Sequence, residues 1–189
     1  MQIRKRKLLL CLPISPNEIE QANALAKLWA DLEVSFNENI TVLIATRFDL
    51  EPSNAIDPSV LFSLKKKFNV ITKRVEKVGT GWPAGCNALE IGAYEWFVEE
   101  NRAKKIDFEY MFIAEPDTVP LRRGWVNEIM EEAYASNCLI SGAYFTHDDG
   151  VQHINGNCVI HRDFWRACKS IWLCPSRTGW DVHIGNRAT

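Results

Sequence analysis

The sequence predicts an α/β fold, a three-layer α/β/α sandwich around a mostly parallel central sheet. Three observations lead there. Strand-like and helix-like segments alternate along the whole chain, the order expected when helices cross over a sheet. Two of the strand-like runs, Leu8-Leu9-Leu10-Cys11-Leu12 and Tyr110-Met111-Phe112-Ile113-Ala114, are apolar at every position, as strands covered on both faces are. The second of these runs ends abruptly in Glu115-Pro116-Asp117, at the strand end where ligands of such sheets gather.

Lys7 to Leu12 reads as the first buried strand. Ile19, Ala22, Ala26 and Trp29 then recur at helical spacing, with Leu25, Leu28 and Leu32 widening the stripe. Thr41 to Ala45 is the second strand, and Thr46-Arg47-Phe48-Asp49 its polar exit. A loop with Pro52 and Pro58 leads to a lysine-rich helix and a short strand at Val70-Ile71-Thr72. Gly79 to Gly85 forms a glycine-rich loop. The long helix after it buries Ala88/Leu89, Gly92/Ala93 and Trp96/Phe97. After the strand at Tyr110–Ala114, Leu121 to Ala135 is an amphipathic helix presenting Trp125, Ile129 and Ala133. Leu139 to Phe145 and Asn157 to Ile160 are strands, and Arg162 to Trp172 is the last helix. Residues 1–189 are expected to form one domain, either minimal or the N-terminal part of a longer protein.

Composition removes several function classes. With 47% hydrophobic and 24% charged residues the chain is neither disordered, collagen-like nor a coiled coil. No apolar run is long enough to span a membrane. The net charge of −2 argues against general nucleic-acid coating, although Arg4 to Lys7 and Lys65 to Lys67 keep a directed nucleic-acid substrate open. Leu8 to Leu12 after those basic residues is too short for a secretory leader and breaks at Pro13, so a cytoplasmic location is expected, the host cytoplasm for a viral protein. The six cysteines are scattered without a CxxC pair and read as core residues with free thiols. His161, Cys168 and Cys174 have spacings that fit no zinc knuckle.

Four segments could carry chemistry. Glu115-Pro116-Asp117 sets two carboxylates two residues apart directly after a buried strand. Their repulsion is relieved by a hard divalent ion or by solvent; the plainer reading is a turn that leads into the next helix. Gly79-Thr80-Gly81-Trp82-Pro83-Ala84-Gly85-Cys86-Asn87 opens the long helix, where glycines allow close backbone approach and the helix end favours an anion. The plainer reading is a loop with Trp82 tucked into the core. Trp180-Asp181-Val182-His183 places a carboxylate and an imidazole two apart, able to share a metal or a proton, though a lone histidine is more often a surface residue. His153-Ile154-Asn155-Gly156-Asn157 reads first as a tight Asn-Gly turn, and His147-Asp148-Asp149-Gly150 as a solvated loop.

Taken in order, these segments resemble the GT-A class of nucleotide-sugar-dependent glycosyltransferases, from Leu8 to about His183. More narrowly, GWPxGxN, EPDxVPLRxGW and INGN followed by WD are similar to a small microbial and viral group of such proteins. The resemblance implies that the exits holding Pro13 and Ser15, and Thr46 and Asp49, bind the nucleotide. It likewise implies that Gly81, Trp82, Asn87 and Glu115 meet the rest of the donor. Glu115-Pro116-Asp117 looks like a DxD motif with Glu first, which implies Asp117 and the late His183 as ligands of Mn2+ or Mg2+. Asp181 stands where inverting members keep a general base, and Asn155, Asn157 and Trp180 are the implied acceptor contacts.

The expected function is then a metal-dependent hexosyl- or pentosyltransferase. It moves sugar from a nucleotide-diphosphate donor to a hydroxyl of a glycan, lipid-linked sugar, protein or modified DNA base. Two other readings stand beside it. One is an inactive nucleotide-sugar- or saccharide-binding module, in which exposed Trp82 and Trp180 would stack on sugar. The other is a nucleotidyltransferase, against which the first strand is followed by Pro13-Ile14-Ser15-Pro16-Asn17 instead of a glycine-rich Arg-Lys loop.

Overall fold

The computed structural model describes residues 6–146, 150, 152–175 and 177–185. Six strands form one sheet: β1 (Leu8–Ile14), β2 (Asn37–Thr46), β3 (Phe68–Arg74), β4 (Tyr110–Ile113), β5 (Ile140–Thr146) and β6 (Gln152–His161). Their order is β3-β2-β1-β4-β6-β5. The first three neighbouring pairs are parallel, and β6 runs antiparallel to both β4 and β5. The antiparallel pairing of β5 and β6 has a simple origin: about five residues separate them in sequence, too few for the crossover a parallel pair needs.

The period of two in β1 divides the core. Leu8, Leu10, Leu12 and Ile14 face α1 (Ile19–Leu32), α2 (Pro58–Lys65) and α4 (Trp125–Ser136). Leu9 and Cys11 face α3 (Ala84–Arg102), α5 (Phe164–Ala167) and α6 (Trp180–Gly185). The sheet is therefore covered on both faces, in the three-layer arrangement expected. Among the described residues no helix is long and apolar enough to cross a membrane.

Four expectations are corrected. The helix expected over Arg162 to Trp172 is broken into α5 and a 3-10 turn at Lys169–Leu173. Phe164 and Trp172 both pack on the Tyr94 ring, with centroids 6.4 and 5.6 Å away. One continuous helix would hold them about 12 Å apart along its axis, so the chain folds back instead. The helix expected from Leu121 starts at Trp125, because Gly124 takes a left-handed conformation with φ 75°. Asn155-Gly156 lies inside β6 and is not a turn. Of the six free cysteines only Cys11 and Cys158 are buried; Cys86 and Cys138 are exposed, and Cys168 and Cys174 are half-buried.

Candidate active site

The strand order reverses at β1, whose neighbours are β2 on one side and β4 on the other. Such a switch point leaves a crevice beyond the carboxyl ends of the strands. A cavity of about 240 Å³ lies there, lined by Pro13 and Ser15 after β1, Arg47 after β2, Gly81 and Trp82 before α3, and Glu115 after β4. A smaller one of about 90 Å³ adjoins it, sharing Trp82, Cys86, Glu90 and Glu115, and adding Gly156, Gly179 and Asp181. A larger cavity of about 580 Å³ opens at the other end of β4, by the C-terminus of α3. Its Arg162 and Arg166 pair with Asp107 and Asp163, and its Arg102 stacks on Trp165. It lacks a gathering of strand ends, so the chemistry is sought at the switch point.

In the cavity of about 240 Å³, Arg47 is held by Asp49 through two parallel bonds of 2.7 Å, from Nε and Nη2. Its remaining nitrogen, Nη1, lies beside Gly85 in the first turn of α3. A fixed guanidinium at a helix N-terminus is a favourable setting for phosphate oxygens. The Ser15 amide and hydroxyl both donate to Glu18, at 3.2 and 2.5 Å, which closes the β1–α1 turn. Trp82 is 80% exposed at the rim, next to a cis peptide bond with Pro83.

Glu115 is fixed from β6. The Asn157 side-chain carbonyl accepts from the Glu115 amide at 2.8 Å and from the Thr118 hydroxyl. Its amide donates to the Glu115 carboxylate at 2.9 Å and to Asn155 at 2.8 Å. Both hydrogens and both lone pairs of Asn157 are thus used. Gly156 makes the approach possible: a Cβ there would lie 2.7 Å from Glu115 Oε1. This close approach is why a glycine stands in mid-strand.

The wall opposite is α3 against the C-terminal segment. Asn87, 6% exposed, donates to the carbonyls of Pro175 (3.3 Å) and Thr178 (2.8 Å) and accepts from the Trp180 amide at 2.8 Å. Trp180 is 3% exposed and its Nε1 donates to the Glu90 carboxylate. Gly179 leaves the space that the Asp181 carboxylate occupies. Glu18, Glu90, Glu115, Asp117 and Asp181 therefore bear on one small volume. Burial, then the charges of Asp117, Asp181 and Glu18, raise the Glu115 pKa to about 7 despite the Asn157 bond. Burial and the Glu115 charge hold Glu90 well above the carboxylate range, with Asp181 and Glu18 adding to them and the Trp180 bond opposing.

Of the residues singled out from sequence, Pro13, Ser15, Gly81, Trp82, Glu115 and Asp181 line the paired cavities. Others hold the frame. Thr46 is wholly buried and donates to the Leu50 carbonyl at 2.8 Å, and Asp49 orients Arg47. Asn87 bonds the backbone of the C-terminal segment, Asn155 accepts from Asn157, and Asn157 holds Glu115 and Thr118. Asn87 and Trp180 also line the smaller cavity, although Trp180, expected to be exposed, is 3% exposed. His147, Asp148 and Asp149 lie outside the described residues. Sequence reasoning passed over Arg47, Glu18 and Glu90. The last carried a signal: a carboxylate within the buried stripe Asn87, Glu90, Ile91, Tyr94 and Val98, at helical spacing.

The expected metal set is tested by the same geometry. Among the described residues no three His, Cys, Asp or Glu side chains gather closely enough to hold an ion. His183 Nε2 lies 3.1 Å from the Ser170 carbonyl oxygen and does not join Glu115 and Asp117 in a cage. Asp117 is exposed at the mouth, with no hydrogen-bond or ion-pair partner among the described residues. One such carboxylate suits an ion that takes its other ligands from phosphates and water.

No family model and no curated protein matches this sequence. Solved structures do resemble it. S. aureus TarS 1-349 in complex with UDP superposes with a TM-score of 0.56 at 10% identity, covering 96% of this chain and 54% of that one. The glycosyltransferase GlyE of Streptococcus pneumoniae TIGR4 gives 0.54 at 12% identity, covering 89% and 38%. Mouse xyloside xylosyltransferase 1, in its apo form, gives 0.50 at 11%, covering 88% and 71%. At these identities the likeness establishes the fold, a GT-A-like architecture. The chain spans about half the length of TarS 1-349.

Proposed function

We propose that this protein is a glycosyltransferase that takes sugar from a nucleotide-diphosphate donor. The observation that carries the reading is the pair of adjoining cavities at the switch point, with Arg47 at one and Glu115 and Asp181 at the other. The fold shared with three glycosyltransferases, one holding UDP, supports it.

In this reading the larger cavity takes the nucleotide, against Pro13 and Ser15, with the diphosphate near Arg47 and the first turn of α3. Trp82 covers the donor from the rim, and the sugar enters the smaller cavity beside Glu115. Asp181 accepts the proton of the acceptor hydroxyl as its oxygen bonds to the anomeric carbon, while the bond from that carbon to the diphosphate breaks. Asp117 is the residue that would hold Mn2+ or Mg2+ together with the diphosphate. Such an ion, when bound, stabilises the charge developing on the leaving group.

The test is nucleotide release from sugar nucleotides, followed with and without manganese and with and without candidate acceptors. Release that needs metal and is lost in Asp117→Ala, with the variant still folded, is the expected result. Tight nucleotide-sugar binding with no release under any condition would instead identify a binding module.

A further inference from the structure

The smaller cavity has an uneven lining. Three carboxyl groups, Glu90, Glu115 and Asp181, face it, and no Lys, Arg or His lines it. Asn157 takes up Glu115, and Asp181 is the base of the proposed reaction. Glu90 is different. Its residue is 94% buried in the second turn of α3. One of its oxygens, Oε2, accepts from Trp180. The other, Oε1, receives no hydrogen bond or ion pair from the described residues, yet it is not sealed within protein. Glu90 lines both cavities, so it stands where they meet.

A carboxyl group in that position is costly, because burial and three like charges oppose it. Packing alone would be served by an apolar side chain at this point of the α3 stripe. What the group adds is a directed acceptor for a ligand hydroxyl, on an arm held by Trp180. The same lining penalises a ligand carboxylate, which would meet three oxygen-rich groups and no cation.

Resting on the transferase reading, we infer that Glu90 is a specificity-determining residue of the donor-sugar cavity. It accepts a hydroxyl of a neutral sugar ring and turns away sugars that carry a carboxylate. Arg47 serves the diphosphate of either kind, so the discrimination lies in the sugar and not in the nucleotide.

The experiment uses UDP, UDP-glucose with UDP-glucuronate, and UDP-galactose with UDP-galacturonate, each titrated into the wild type, Glu90→Gln and Glu90→Asp. Within at least one pair the wild type should bind the neutral member about tenfold more tightly. Glu90→Gln replaces the carboxyl oxygen that faces the cavity with an amide NH2, which donates to a ligand carboxylate, and keeps an acceptor for Trp180. It should narrow that gap by about threefold or more while moving UDP affinity less than about twofold. Glu90→Asp keeps the carboxyl group on a shorter arm and should weaken the neutral sugar while still rejecting the acidic one; it serves equally should Glu90→Gln not fold. Equal binding within both pairs, or a gap unchanged in both variants, would overturn the assignment of Glu90 and leave the transferase reading intact. Absence of binding by the wild type of UDP and of every other nucleoside diphosphate would overturn that reading, and this inference with it. Where another nucleoside diphosphate binds in place of UDP, the same sugar pairs are compared on that nucleotide.

Discussion

The two halves of the sheet do different work. The parallel half, β3-β2-β1-β4, supplies a cavity bounded by strand exits and by the first turn of α3. Its single guanidinium is fixed by its neighbour Asp49, so this half is built by local bonds. The antiparallel half, β6 and β5 with α6, adds Gly156 and Asp181 to the smaller cavity. It reaches across and fixes carboxylates: Asn157 holds Glu115, and Trp180 meets Glu90. On the proposed function, the difference teaches that affinity for a nucleotide and the chemistry on its sugar are carried by separable parts of the fold. Substitutions in the first half should alter binding, and those in the second should alter turnover.

The largest expected effect is on turnover. Asp181→Asn should slow transfer by about 10²- to 10⁴-fold, the usual loss on removing a general base, with UDP affinity near that of the wild type. Transfer kinetics beside a UDP titration check both parts. Equal transfer by the variant would place the base elsewhere.

Next comes Asn157→Ala, which leaves the Glu115 amide and carboxylate without partners. A loss of about 2–3 kcal/mol in stability is expected from several lost bonds, two of them to a carboxylate or its amide, along with loss of turnover. Chemical denaturation measures the first quantity. A change confined to turnover would mean that Asn157 touches substrate and does not hold the frame.

Arg47→Ala should act in the other half, weakening UDP binding roughly 10- to 100-fold by removing a charge-assisted hydrogen bond. Release of nucleotide at saturating donor should change far less. If saturating turnover falls as steeply as affinity, the two halves are not separable.

The smallest effect is on pH dependence. Glu115 and Glu90 have folded-state pKa values above their unfolded ones, Glu115 at about 7. The folded state therefore binds their protons more tightly. Stability from Glu115 is full below the unfolded carboxylate range, near pH 4.5, and is lost as pH rises through 7. Melting of the wild type should fall by roughly a few degrees between pH 5.5 and 8 relative to Glu115→Gln. Parallel wild-type and variant curves would contradict the buried-acid account.

The parallel half was legible in the sequence because its rules are local. Fully apolar runs mark β1 and β4, helical periodicity marks α1 and α3, and Glu115-Pro116-Asp117 marks a strand exit by its abrupt change of polarity. The antiparallel half was less legible because its partners are distant. Nothing near Asn87 announces that it will hold the carbonyls of Pro175 and Thr178. Gly156 looks like a turn until Glu115 is seen lying against it. Trp180 reads as an exposed stacking surface only while its bond to Glu90 is unknown. Glu90 itself interrupts a buried helical stripe, a local anomaly whose meaning only the fold supplies.

The central claim is tested most directly by calorimetric titration of UDP, with and without Mn2+, into the wild type, Arg47→Ala and Asp117→Ala. The account predicts one site per chain, tighter with the metal, weakened in Arg47→Ala and stripped of its metal dependence in Asp117→Ala. Failure of UDP and of every other nucleoside diphosphate to bind the folded wild-type protein would contradict it, as would binding that neither substitution alters.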